Sequence, residues 1–194
     1  MRANPDVEDA YVLAGGIDDL RARLTQVTDD PSTVTSLVSQ LDVISGELVA
    51  QMNTFVTQIQ KMYLAFYGRA ADPKGLDYWV SQLAKVKGEL GDIIEYFADS
   101  DEADELYAGL TLEQQVVQIY GQLLGREPSG FEIEDHLQEL SAGRSLGSLS
   151  EYILDSVSDS REQAVVNNRL RAAQIYTEYL KQHAQIEERR SSLS

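Results

Sequence analysis

The sequence contains no cysteine, so it forms neither disulfide bonds nor thiolate metal sites, and catalysis by a cysteine nucleophile is excluded. Basic residues are scarce as well. Sixteen lysines and arginines stand against 32 aspartates and glutamates, which leaves a net charge of −16. This charge repels phosphate backbones and anionic lipid headgroups. We therefore expect no nucleic-acid partner.

Long apolar runs are also missing. No stretch approaches the ~20 apolar residues of a membrane span, and the first residues, MRANPDVEDAYVLAGG, show no signal-peptide pattern. We expect a soluble chain that spans no membrane and, if it is exported, does not use a classical N-terminal signal. Cysteine-free chains occur in every compartment, so composition alone leaves the location open.

Signatures of known catalytic and metal sites are absent. The sequence has no Gly-x-Ser-x-Gly elbow, Walker loop or dinucleotide fingerprint, and enzyme activity is not predicted. Its two histidines, His136 and His183, lie far apart without a neighbouring cysteine or second histidine, so no metal-ligand spacing is predicted for either. Glu134, Asp135 and Glu139 contain pairs of carboxylates such as glycoside hydrolysis uses, but every acidic helix offers such pairs.

The sequence does contain apolar residues spaced with the period of an α-helix. Apolar residues recur at intervals of three and four, as in Leu37, Leu41, Ile44 and Leu48, and no segment alternates as a strand does. We predict an all-α fold, a compact multi-helix array. The predicted helices span residues 17–28, 31–67 (with a break at Ser45-Gly46 as an alternative), 73–87, 91–99, 101–107, 111–124, 130–142, 146–157 and 159–188.

Start and stop signals bound these helices. Asp30-Pro31 and Asp72-Pro73 each place an N-cap carboxylate before a proline at the first helical position. Thr111 and Gln114 have the spacing of a capping box. Glycines suited to a left-handed position after a helix are Gly68, Gly88, Gly109, Gly125 and Gly143.

An internal repeat organises the chain. Tyr63, Gly68 and Arg69 recur 57 positions later as Tyr120, Gly125 and Arg126, and IEYFADS recurs as SEYILDS. We predict two degenerate helical modules, residues 31–109 and 110–188, the second ending in a long C-terminal helix that packs across both. An N-terminal helical arm, residues 1–30, and a frayed tail, residues 189–194, flank them.

The corner GRAADPKGLDYW is interpreted as a packing device. Arg69 can reach free carbonyls at a helix end or the Asp72 carboxylate, and so fix the angle between two helices. We expect Gly75 to let a neighbouring helix approach closely, and Leu76 and Trp79 to share one face. The second copy, GREPSGFEIED, keeps Gly and Arg but lacks the Asp-Pro pair and the Trp.

Aromatic residues around this corner are candidates for ligand binding. Tyr67 and Tyr78 are expected to be partly exposed and, with Lys74, to offer a saccharide platform. Burial is the alternative for an aromatic stripe at helical spacing, and it is favoured for Tyr63 and Trp79.

The acidic run DSDEADE, residues 99–105, is the only calcium candidate, through Asp99, Asp101 and Asp104. An EF-hand loop counted from Asp99 has Asp104 in place of its glycine and Leu110 in place of its glutamate, so that pattern fails. An N-cap at Asp99 or Ser100 followed by acids in the first turn is favoured instead.

The stretch YLAFYGRAADPKGLDYWVSQL resembles the helical domain that recurs in bacterial S-layer and RTX-type surface proteins, whose core reads roughly Y-x-x-x-x-G-R-x-x-D-P-x-G-L-x-Y-W. The positions that fit this pattern are Tyr63, Gly68, Arg69, Asp72, Pro73, Gly75, Leu76, Tyr78 and Trp79. The chain departs from that arrangement by carrying neither glycine-aspartate nonapeptide repeats nor a lattice-forming β region.

The resemblance implies a non-catalytic module at the bacterial cell surface or outside the cell. Such a module anchors or assembles an extracellular protein by binding envelope polysaccharide, lipopolysaccharide or a copy of itself, and calcium is a possible ion. A similar GR-x-x-D-P-x-G motif occurs in phycobilisome linker domains. That likeness implies the alternative, a cytoplasmic linker-type scaffold for a multiprotein assembly.

Overall fold

The computed structural model describes residue 22 and residues 31–191. These residues form α-helices and contain no strand, so the predicted all-α fold is confirmed. The helices are α1 Pro31–Tyr67, α2 Pro73–Lys85, α3 Gly91–Ala98, α4 Asp101–Tyr107, α5 Leu112–Leu123, α6 Gly130–Ser141, α7 Leu146–Ser156 and α8 Ser160–Ser191. The predicted arm 1–30, with its helix 17–28 and the Asp30 cap, lies outside the described residues apart from residue 22.

The local signals explain where these helices begin and end. Asp72 accepts a hydrogen bond from the Gly75 amide as the N-cap of α2, and Thr111 and Gln114 form a complete capping box at α5. A second capping box, Ser129 with Glu132, starts α6 and was not predicted. The five predicted stop glycines all have positive φ values, between 64° and 100°.

Helix α1 spans the predicted range 31–67 and runs without interruption through Ser45-Gly46, so the alternative of a break there is not observed. Helix α8 continues to Ser191, so residues 189–191 are helical, although the sequence predicted a frayed tail from residue 189. Residues 192–194 lie outside the described part.

Helix α1 is the axis of the core. Its buried side chains follow the helical period and include Met52, Phe55, Ile59, Met62 and Phe66. Helices α2, α5 and α8 pack along it, and α3, α4 and α7 also contact it. One hydrophobic cluster contains side chains from both repeat modules, so the two modules share a core.

A buried polar network fixes α8 on the first corner. The Gln60 amide nitrogen donates to Thr177 Oγ1 at 2.8 Å, and Gln60 Oε1 accepts from the Ala71 amide at 3.1 Å. Thr177 in turn donates to the Ala71 carbonyl at 2.6 Å. Because each of these buried side-chain atoms has a hydrogen-bond partner, the network joins α1, the corner and α8.

Among the described residues, no helix combines the length and apolar character needed to cross a lipid bilayer.

Candidate functional site

The first corner is held by Arg69. Its Nε and Nη2 atoms donate to the two carboxylate oxygens of Glu102 at 2.6 and 2.7 Å, and its Nη1 donates to the Ala70 carbonyl at 3.0 Å. The guanidinium lies 5.0 Å from the centre of the Tyr63 ring. The sequence offered free carbonyls or the Asp72 carboxylate as partners of Arg69. The Ala70 carbonyl is such a partner, whereas Asp72 Oδ2 lies 3.9 Å away and Asp72 Oδ1 caps α2. The bidentate partner comes from α4, 33 residues away.

The second corner has the same construction. Arg126 lies 5.0 Å from the centre of the Tyr120 ring, and its Nη1 donates to the following residue's carbonyl at 3.0 Å. Its Nε donates to Glu162 at 2.6 Å and its Nη2 to Glu132 at 2.7 Å. Both conserved arginines of the repeat therefore join the end of one helix to a carboxylate on a later helix.

The Arg126–Glu132 ion pair of the second corner is expected to contribute to the free energy of unfolding in a way that is lost in acid. Hydrogen bonding from Arg126, followed by that from Ser129, lowers the pKa of Glu132 from 4.5 to about 2. Because the folded-state pKa lies below the unfolded one, the contribution is present above about pH 4.5 and is lost as the pH falls towards 2. We expect wild type to be more stable than Glu132→Gln at neutral pH and this advantage to shrink in acid, measured by urea unfolding.

Glu134→Gln controls for the loss of one negative charge, because Glu134 is an exposed glutamate on the same helix. A stability difference between wild type and Glu132→Gln that stayed constant from neutral to acidic pH would contradict the Arg126 assignment.

Gly75 allows a close approach, as the sequence predicted, and the group that approaches is the Tyr63 side chain. A Cβ atom built at Gly75 would lie 2.2 Å from the Tyr63 hydroxyl and 2.9 Å from Asp72 Oδ2. In the second module Glu132 stands at the equivalent position, and the Tyr120 hydroxyl is paired with His136 Nε2 at 2.8 Å. Gly75 therefore makes room for the tyrosine of α1.

The candidate ligand residues have different environments. Tyr67 is half-buried, and its hydroxyl is 2.9 Å from Ser100 Oγ, so it belongs to the packing of the first module. Lys74 is exposed, and Tyr78 is 48% exposed. Tyr63 is buried, as predicted, whereas Trp79 is only partly buried.

The structure adds a residue to this group. Tyr96 of α3 is 65% exposed, and its ring centre lies 6.2 Å from the ring centre of Trp79. The ring centres of Trp79 and Tyr78 are 5.0 Å apart. We call Tyr78, Trp79 and Tyr96 the aromatic patch. The sequence contained a signal for Tyr96, because Ile93, Ile94 and Phe97 form the buried face of α3 and leave residue 96 outside it.

The second module does not reproduce the aromatic patch. Tyr152 is equivalent to Tyr96 and is 44% exposed, but Asp135 and His136 replace Tyr78 and Trp79. The Tyr152 ring is covered by Arg144, whose guanidinium carbon lies 5.0 Å from the ring centre. The patch is therefore a property of the first module.

The acidic run has a structural role. Ser100 is the N-cap of α4, with Asp101, Glu102 and Asp104 in the first turn, where they face the positive end of the helix dipole. Glu102 holds Arg69. Within the described part of the chain, Asp99, Asp101 and Asp104 are not gathered into a group with metal-ligand spacing.

The structure places two carboxylates beside His136. Its sequence context offered no cysteine or second histidine, yet ligand atoms of Asp135, His136 and Glu139 lie within 4.8 Å of one another. His136 is 4% exposed, and Glu139 follows it by one helical turn. The sequence prediction considered only cysteine and histidine as partners of His136, whereas the groups beside it are carboxylates.

An open groove of about 630 Å³ lies between the modules, bordered by the first corner, α5 and α8. Its two arginines are engaged within the protein. Arg69 binds Glu102, and Arg169 donates to the Gly121 and Gln122 carbonyls at the end of α5.

A comparison with family models matches residues 49–107 to a domain of unknown function, DUF4214. The match extends from the second half of α1 through α4, and so contains the first corner and the aromatic patch. Comparisons with curated proteins and with solved structures gave no match.

Proposed function

We propose that this protein is a non-catalytic module of the bacterial cell surface that binds envelope polysaccharide or lipopolysaccharide and thereby anchors or assembles an extracellular protein. The observation that carries the proposal is the aromatic patch. Two exposed tyrosines flank the partly buried Trp79, and contiguous exposed apolar surface is characteristic of binding sites. Sugar rings have apolar faces that stack on aromatic rings.

The surroundings of the patch support a polar ligand with an apolar face. Lys74 lies one helical turn before Tyr78 on α2 and is exposed. Asp77 is bound by Lys181 at 2.8 Å, which ties α2 to α8 and keeps the patch on a fixed scaffold. A rigid surface binds with a smaller loss of conformational entropy than a mobile loop does.

The corner motif supports the same proposal through its role in packing. Arg69 and Arg126 are engaged in ion pairs that join helices, as expected of a scaffold that presents a surface. The likeness of GRAADPKGLDYW to the domain of S-layer and RTX-type surface proteins favours an extracellular location. Self-association remains part of the proposal, because Ile175, Tyr176 and Tyr179 of α8 are more than half exposed.

Binding of the full chain to purified lipopolysaccharide and to neutral capsular polysaccharide tests the proposal by calorimetry. We expect Tyr78→Ala and Tyr96→Ala each to weaken binding about tenfold, since one aromatic stacking contact contributes up to about 1.5 kcal/mol. The net charge of −16 repels an anionic glycan, so calcium should strengthen binding to lipopolysaccharide more than to the neutral polymer.

The matched control is Tyr152→Ala, which removes the equivalent exposed tyrosine of the second module. Absence of binding to every envelope fraction, with and without calcium, would overturn the glycan proposal. Concentration-dependent oligomers in that case would support assembly by self-association instead.

A further inference from the structure

The strongest unexplained feature lies on α6 in the second module. His136 Nδ1 is buried and has no hydrogen-bond partner, and the same is true of Glu139 Oε2. These two atoms face each other at 3.7 Å, which is too long for a hydrogen bond. Buried polar atoms are almost always paired, so two such atoms turned towards each other need an explanation.

The neighbouring contacts orient both side chains. His136 Nε2 is 2.8 Å from the Tyr120 hydroxyl, and Arg144 Nη2 lies 3.3 Å from Glu139 Oε1. In the tautomer in which Nε2–H donates to Tyr120, Nδ1 presents a lone pair. Arg144 occupies one carboxylate oxygen and leaves the other, Oε2, facing that lone pair. Two electron-pair donors at this separation repel each other unless a positive centre lies between them.

We propose that Asp135, His136 and Glu139 bind a divalent transition-metal ion of the Zn²⁺ type. An imidazole with two carboxylates is a ligand set that suits such ions and neutralises a double positive charge, whereas calcium and magnesium prefer oxygen ligands alone. The candidate ligand atoms lie within 4.8 Å of one another, near enough to share one ion. Asp135 completes the set from the adjacent position on α6.

The partner of the histidine's other nitrogen fits the same assignment. Metal-binding histidines usually donate their second ring N–H to an oxygen that fixes the tautomer and the ring orientation. Tyr120 occupies that place and is itself buried, at 4% exposure. Tyr120 is therefore a positioning residue for the site. The inference concerns the second module and does not rest on glycan binding by the first.

Titration of the metal-free full chain with ZnCl₂, followed by calorimetry, tests the site. We expect one zinc ion per chain, and we expect Glu139→Gln, Asp135→Asn and Tyr120→Phe each to weaken affinity by about 10- to 100-fold. Long-range ¹H–¹⁵N spectra of the His136 ring should show a shift of Nδ1 on zinc addition while Nε2 keeps its hydrogen. This spectroscopic change separates coordination from a merely structural effect of the substitutions.

The matched control is Glu134→Gln, an exposed glutamate on the same helix outside the ligand group. Equal zinc affinity in Glu134→Gln and Glu139→Gln would assign the metal to scattered surface carboxylates and overturn the proposal. An Nδ1 that carries a hydrogen shared with Glu139 and does not respond to equimolar zinc would also overturn it, because a proton would then fill the gap.

Discussion

Phe97→Ala is expected to lower the free energy of unfolding by about 3–5 kcal/mol, the range for truncating a fully buried phenylalanine. The Phe97 side chain is fully buried, and its ring centre lies 4.9 Å from that of Trp79 and 5.1 Å from that of Tyr63. The rings of Tyr67 and Phe66 lie at 5.4 and 6.0 Å. Removing this ring leaves a cavity between α1, α2 and α3, and urea denaturation followed by circular dichroism measures the loss.

The adjacent residue gives the control for this experiment. Tyr96→Ala removes a similar volume from the same helix, but Tyr96 is 65% exposed, so we expect a change within about 0.5 kcal/mol. A comparable loss in the two variants would contradict the assignment of Phe97 as the centre of the first module's core. It would also remove the reason to regard Tyr96 as a surface residue.

Gly75→Ala is expected to lower the free energy of unfolding by about 1–3 kcal/mol, although alanine is the better helix former. The added Cβ would lie 2.2 Å from the Tyr63 hydroxyl. Tyr63 is 4% exposed and is held by Arg69 on one face and Phe97 at its edge, so its ring has little room to move away. Thermal and urea unfolding measure the change.

Gly46→Ala is the opposite case and serves as the control. Gly46 lies in the middle of α1, is exposed and has no atom within 4 Å of an added Cβ. Its replacement should raise the free energy of unfolding by about 0.5–1 kcal/mol, because alanine loses less backbone entropy on folding. Stabilisation by both substitutions would show that Tyr63 moves freely and that the corner is looser than its geometry indicates.

Interactions between residues close in sequence were predictable. The Asp72 cap, the Thr111–Gln114 capping box and the glycine stops depend on three or four neighbouring positions, and all were identified from sequence. The repeat likewise identified Arg126 as the counterpart of Arg69. These signals succeed because helix ends must satisfy their own backbone groups with whatever side chains lie nearby.

Interactions between distant residues were not predictable from the same signals. The sequence offered Arg69 only nearby partners, free carbonyls or Asp72, but Glu102 of α4 offers both carboxylate oxygens to the planar guanidinium. The sequence named Tyr67 as a ligand candidate but did not predict that its hydroxyl lies 2.9 Å from Ser100 Oγ, at the start of α4. In both cases the partner belongs to a helix whose position depends on packing around α1.

The sequence by itself determined the all-α class, most helix boundaries and the repeated corner, since each follows from local backbone chemistry and a helical period. Only the tertiary structure decided which aromatic rings form the exposed patch and that His136 of α6 is buried. Burial and the distance between side chains on different helices depend on how the helices cross, and no spacing along the chain specifies that crossing.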